Sequence, residues 1–200
     1  MNMLSPYLPQ DDQEFSRLNL KSGLWIDEGF DWYPEDDLMS RYPHGEIRTF
    51  LQTQKKDRLL ISKLTIKNNS FKVKHPKFFF RYENAFEKKA VAFYSPPEQA
   101  ILHIGSNSVV LLGGAFKGKG ISQYCIQGKG GLYQNGCFKS LKEGILSYSP
   151  LAKGEVTSIF TLESRLEPGE CVEASAWAIQ ADSKEEAQRV NDQLFLAQQK

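Results

Sequence analysis

Hydrophobic positions along this chain recur mostly at every second residue, in short runs. Residues 47–52, Ile-Arg-Thr-Phe-Leu-Gln, alternate. Residues 59–67, Leu-Leu-Ile-Ser-Lys-Leu-Thr-Ile-Lys, are rich in β-branched side chains and alternate toward their end. A period of two is that of a strand with one buried face. Phe71 and Val73 extend the pattern, and the aromatic run Phe78-Phe79-Phe80-Arg81-Tyr82 and segments 90–94, 156–162 and 171–179 read the same way. Segments 100–104 and 108–112 predict a hairpin around Gly105-Ser106-Asn107. Shorter strands are predicted at 121–126 and 132–138, and 144–148 is ambiguous. Asn68-Asn69, Ser95-Pro96-Pro97 and Leu166-Glu167-Pro168-Gly169-Glu170 supply turns.

One segment carries a helical period. Ser183-Lys184-Glu185-Glu186 forms a capping box, with Ser183 as N-cap and Glu186 reaching back. Ala187, Val190, Leu194 and Ala197 then fall on one face, predicting a helix over 183–198. Many short strands followed by one helix predict a mainly β protein, an antiparallel β-sandwich with one C-terminal α-helix. Residues 1–22 are polar, contain Pro6 and Pro9 and an acidic patch at Asp11, Asp12 and Glu14, and read as an N-terminal arm. Residues 23–200 read as a single sandwich domain.

Composition supports a folded chain: hydrophobic residues make up 40% and aromatic residues 12%, enough to bury a core. At 200 residues there is room for one domain or two small ones. No run approaches the roughly 18 apolar residues of a membrane helix. The first ten residues lack a basic region followed by an apolar stretch. The expectation is therefore a cytoplasmic protein with no membrane contact. The three cysteines, Cys125, Cys137 and Cys171, show no CxxC spacing, which argues against a disulfide framework and a zinc site. His44, His75 and His103 are far apart and outside any metal-binding pattern, so no metal and no cofactor is expected.

The net charge of +1 conceals segregation. Residues 1–46 carry net −7, 47–90 net +9, 91–153 net +4 and 154–200 net −5. Such segregation is an expected route to a protein partner or to self-association through the charged faces. No nucleic-acid motif accompanies the basic stretch, and Lys63, Lys67, Lys72, Lys74 and Lys77 alternate with apolar residues as the wet face of strands do. Nucleic acid is not an expected partner.

Catalytic patterns are incomplete. Gly113-Gly114-Ala115-Phe116-Lys117-Gly118-Lys119-Gly120 satisfies G-x-x-x-x-G-K, but Gly120 stands where a magnesium-binding Ser or Thr is needed and no helix follows. It reads as a mobile glycine-lysine loop between strands. Ser147, Ser149, Cys125 and Cys137 lack a nucleophile elbow, and His103 lies in a strand pattern with no marked partner, so it reads as structural. The coherent constellation is the acid-aromatic segment 25–37. Trp25, Trp32 and Tyr33 offer ring faces to the C–H side of a sugar, and Asp27 among six acids offers hydrogen-bond acceptors to hydroxyls. Trp25, Asp27, Trp32 and Tyr33 are thus the candidate ligand-binding residues. The competing reading packs both tryptophans into the core and leaves the acids solvated.

Several motifs taken together resemble a known family. Gly23-Leu24-Trp25-Ile26-Asp27 followed by Trp32, Leu64-Thr65-Ile66-Lys67-Asn68-Asn69, Phe78-Phe79-Phe80-Arg81-Tyr82-Glu83-Asn84, and Leu166-Glu167-Pro168-Gly169-Glu170 with the strand and Ser183-Lys184-Glu185-Glu186-Ala187 after it carry the likeness. They resemble the N-terminal β-supersandwich domain of bacterial glycoside hydrolase family 15, the glucoamylase-like proteins. In that family the catalytic carboxylates belong to a helical barrel that follows the sandwich, and this sequence ends at Lys200. The resemblance implies a supersandwich-like fold and transfers no catalytic residue. It implies a non-catalytic module that binds or senses an oligosaccharide. The alternative is a structural or protein-interaction module that has lost ligand binding.

Overall fold

The computed structural model describes residues 18–34, 39–84, 87–128 and 136–198. Among the described residues, fifteen strands are followed by one helix. A five-stranded antiparallel sheet has the order β10-β14-β6-β1-β2, formed by Gln123–Gly128, Val156–Glu163, Lys77–Asn84, Lys21–Ile26 and Gly29–Trp32. An eight-stranded antiparallel sheet has the order β13-β7-β8-β9-β15-β5-β4-β3, formed by Leu151–Gly154, Ala90–Ser95, Ala100–Ile104, Val109–Phe116, Cys171–Ala181, Leu59–Asn68, Ile47–Lys56 and Met39–His44. A small hairpin, β11 (Phe138–Ser140) with β12 (Ile145–Leu146), stands apart from both. The helix α1 is Lys184–Ala197. The protein is a β-sandwich with one C-terminal helix.

The period-two pattern explains the layering, because alternate residues of each strand face opposite sides. Leu24, Phe78, Phe80, Tyr82, Phe160 and Leu162 of the smaller sheet meet Leu64, Ile66, Ile101, Leu112 and Phe116 of the larger one in the central core. Trp177 and Ile179 of β15, with Val109 and Leu111 of β9, face outward and form a second cluster under α1. Phe79, Cys125 and Ile159 face outward from the smaller sheet into a third cluster, with Cys137 and Leu146 from the β11–β12 region.

Four expectations are corrected. First, β1 begins at Lys21, and Leu18 and Leu20 are buried in the central core, so the sandwich starts before residue 23; residues 1–17 lie outside the described residues. Second, Phe71 and Val73 are not in a strand. The Asn68 side-chain amide donates to the carbonyls of Lys72, Leu166 and Glu167, and its oxygen accepts from Ser70. These bonds bend the chain and leave Phe71 98% exposed. Third, Gly113 to Phe116 form the buried end of β9, not a loop. A Cβ on Gly113 would lie 2.5 Å from Trp177 Nε1, and one on Gly114 would lie 2.9 Å from Leu162 Cδ1, so the glycines admit neighbouring side chains. Only Lys117 and Gly118, both at positive φ, make the tight turn, and Phe116 and Lys119 exchange backbone hydrogen bonds across it. Fourth, Ala197 is exposed and the buried helix face runs through Ala187 and Asn191. Glu186 Oε2 accepts from the backbone N–H of Asp182, one residue earlier than a standard box, while Ser183 Oγ accepts from Glu186 N–H. Of the predicted strand 132–138, residues 132–135 lie outside the described residues.

Candidate functional site

The four candidate residues occupy three environments. β1 and β2 are joined by the two-residue turn Asp27-Glu28, with φ of 49° and 68°. This is the type I′ geometry a tight hairpin needs, adopted here without glycine. Ion pairs brace the turn: Lys74 Nζ lies 2.5 Å from Asp27 Oδ2, and Lys142 Nζ lies 3.6 Å from Glu28 Oε2. Lys74 also lies 3.9 Å from Glu46, so acids of the first segment neutralise bases of later ones. Trp25 and Trp32 face outward from the smaller sheet. Tyr33 faces the other way, into the central core, where it is 2% exposed and donates its hydroxyl hydrogen to Thr49 Oγ1 at 3.1 Å. The structure therefore brings together the two tryptophans and separates them from Tyr33.

The tryptophan face is covered. Phe30 packs edge-on against Trp32, Phe79 and Phe138 at centroid distances of 5.0, 5.2 and 5.4 Å. The segment around β11 and β12 lies over this cluster as a flap. Trp25 Nε1 donates to Lys142 O at 3.1 Å, and Lys77 Nζ donates to the carbonyls of Glu143 and Gly144 at 2.8 and 3.0 Å. Gln123 clamps the same turn, donating to Gly144 O and accepting from Leu146 N–H. A Cβ on Gly144 would sit 2.8–3.0 Å from three Trp25 ring atoms, so that ring lies against the Gly144 backbone. Lys77 Nζ also lies 4.7 Å from the centroid of the same ring. Trp25 is thus held by the flap, whereas Trp32 is half-buried on the edge strand with Lys21 Nζ 5.8 Å from its ring.

A second aromatic surface carried no signal in the sequence. Tyr94 of β7 and Tyr124 of β10 come from opposite sheets and stack with centroids 4.0 Å apart and planes 13° from parallel. Tyr148, from the segment after β12, tilts onto Tyr124 at 5.6 Å and is 76% exposed. Burial, aided by the hydrogen bond to Tyr148 and the nearby tyrosines, pushes the Tyr124 hydroxyl up to about 12. The ladder stands where residues 147–151 join the sheets: Ile126 N–H donates to Ser149 O, and Tyr94 N–H donates to Pro150 O. The three tyrosines are 24 or more residues apart along the chain, so no local spacing marks them.

His103 and Ser158 form a nucleophile-base contact inside the core. His103 Nε2 lies 2.8 Å from Ser158 Oγ, with Tyr82 edge-on at 5.0 Å. Both residues are sealed between the sheets, at 1% and 0% exposure, and burial lowers the imidazole pKa to about 3. A neutral imidazole in this place cross-links the sheets by a hydrogen bond and has no access to a substrate. Among the described residues, no three His, Cys, Asp or Glu side chains converge to hold a metal ion.

No family model matches the chain, and no curated protein matches its sequence. Solved structures do match. A bacterial glucoamylase complexed with acarbose is similar over 88% of this chain and 28% of its own, at 11% identity and a TM-score of 0.48. A polysaccharide lyase is similar over 86% of this chain and 27% of its own, at 10% identity and a TM-score of 0.46. A protein described as a kojibiose phosphorylase, from the human microbiome, is similar over 89% of this chain and 25% of its own, at 8% identity and a TM-score of 0.46. The chain spans about a quarter of the length of each of these proteins. The similarities concern the path of the chain and assign no role to any residue.

Proposed function

We propose that the protein is a non-catalytic carbohydrate-binding module whose sugar platform is the Tyr94–Tyr124–Tyr148 ladder. The observation that carries this reading is the exposure of Tyr148 on a stack that is itself rigidly seated. Tyr148 offers an apolar ring to the C–H side of a sugar. The Tyr124–Tyr148 hydroxyl pair offers donors and acceptors beside it. A few fixed polar groups around an apolar surface are what orients a small ligand. The reading is non-catalytic because the buried His103–Ser158 pair has no route to a ligand. Titration with maltooligosaccharides and other glycans, followed by calorimetry, tests it. Saturable binding that falls at least about tenfold in Tyr148→Ala, ~1.4 kcal/mol, is the expected result. Loss in Trp32→Ala alone would move the site back to the tryptophan face. Absence of saturable binding to every glycan rejects the reading.

One observation favours a second reading, a protein-interaction module. Phe71 stands almost fully exposed on a bend whose backbone is fixed by the Asn68–Ser70 hydrogen bonds. A fixed apolar knob of this kind anchors in a partner pocket. Pull-down and sedimentation at several salt concentrations test it. A monomer at every salt, with no partner lost on Phe71→Ala, rejects it.

A further inference from the structure

The flap contains a chemical feature that neither reading uses. Cys125 of β10 and Cys137 just before β11 are both fully buried in the cluster beneath the flap, while Cys171 is exposed. The backbone brings the two cysteines into one cluster. Cys137 O accepts from Ser147 N–H at 2.9 Å, and two residues later Ser149 pairs alongside Cys125. The two thiols share that buried cluster with Phe79, Leu146 and Ile159. Cys137 also lies within the field of the Arg81 guanidinium. The neighbouring Cys137 thiol, with Gln127, holds the Cys125 thiol below its ordinary pKa, whereas Cys125 and burial push the Cys137 thiol up.

We propose that Cys125 and Cys137 are a reversible thiol–disulfide site that locks the β11–β12 flap onto the tryptophan face. With oxidised glutathione as the co-reactant, the Cys125 thiolate attacks one glutathione sulfur and releases the other half as a thiolate. Cys137, losing its proton to solvent, then attacks the Cys125 sulfur of the mixed disulfide and releases the second glutathione. Two protein thiols lose two electrons, and one glutathione disulfide becomes two glutathione thiols. Access comes through opening of the flap, whose own strands span only three and two residues. Oxidation therefore traps the closed flap, and reduction frees it. The site is independent of the carbohydrate reading.

The full-length protein is equilibrated in glutathione buffers from reducing to oxidising, quenched by alkylation and analysed by mass spectrometry. The expected result is joint loss of the Cys125 and Cys137 thiols, a peptide linked between them, and continued alkylation of Cys171. Hydrogen exchange of residues 138–146 should slow at least about tenfold on oxidation, ~1.4 kcal/mol of added closure, and recover with dithiothreitol. Cys171→Ser should leave this behaviour intact, and Cys137→Ser should abolish it. Both buried thiols remaining alkylatable in the most oxidising buffer, a link made only through Cys171, or a disulfide with unchanged flap exchange would overturn the proposal.

Discussion

Each sheet buries part of its outer face under a different kind of cover. The eight-stranded sheet is covered by α1, a regular helix with its own internal hydrogen bonds. That helix adds a few polar contacts: Trp177 Nε1 donates to Asn191 Oδ1 at 2.9 Å and Asn191 Nδ2 donates to Glu98 O at 3.3 Å, both buried, and Lys184 pairs with Glu98 at 3.0 Å. The five-stranded sheet is covered by the flap, which has almost no regular structure. Its turn carbonyls find partners in side chains of the sheet: Trp25, Lys77 and Gln123. A helix brings its backbone already satisfied, so its docking energy is mostly burial. The flap depends on the sheet for its backbone partners, so it has little stability by itself. One cover belongs to the cooperative fold, and the other is poised to open locally.

The largest expected effect sets the scale for both covers. His103 has a folded-state pKa of about 3 against 6.5 when unfolded. The unfolded chain therefore binds the proton first, and the stability present above pH 6.5 is lost as pH falls through 3. Moving from pH 7 to pH 4 should cost roughly 3 kcal/mol from this group, releasing both covers together. Denaturant unfolding at the two pH values checks it, and His103→Gln, which keeps a donor for Ser158 but cannot titrate, should remove that part of the pH dependence.

Next comes the helix side. In Gly113→Ala the new methyl meets Trp177 Nε1 and Asn191 Oδ1 at 2.5 and 2.6 Å. A global loss of about 2–3 kcal/mol is expected in urea unfolding. Gly144→Ala attacks the flap equivalently, through the Trp25 ring and a backbone φ of +61°. It should lower the free energy of flap opening by about 1–2 kcal/mol, read as faster amide exchange at 138–146. The global midpoint should stay in place. If Gly144→Ala unfolds the whole protein as Gly113→Ala does, the contrast between the covers collapses. The smallest effect sharpens it: Ser183→Ala removes only the helix N-cap, about 1 kcal/mol, yet should appear in the global midpoint.

The difference between the covers is also a difference in what the sequence discloses. The strands at 47–52, 59–67, 78–82 and 171–179 were readable because a buried face repeats every two residues. The helix was readable from Ser183 and Glu186. The buried Asn191, however, is a polar residue on the inner face, and its place depends on Trp177 and Glu98, far away in sequence. Asn68 read as a turn signal, and it does turn the chain, but through three carbonyls that are neighbours only in the fold. No local pattern marks the flap, because its partners are side chains scattered over three strands. Trp25 and Tyr33 looked like one cluster because they are close in sequence. The pleat sends Tyr33 inward and Trp25 outward, and the composition of segment 25–37 holds no trace of that. The tyrosine ladder needed two sheets and a connecting segment to exist at all.

The stretch 147–151, which bonds to β10 at Ser149 and to β7 at Pro150, acts as the spine of a book whose covers are the two sheets. Tyr94, Tyr124 and Tyr148 stand along that spine, one on each cover and one on the binding between. A molecule resting there would touch both covers along the segment that binds them. Its grip would be felt as stiffness across the whole volume, not as the stilling of a single loop.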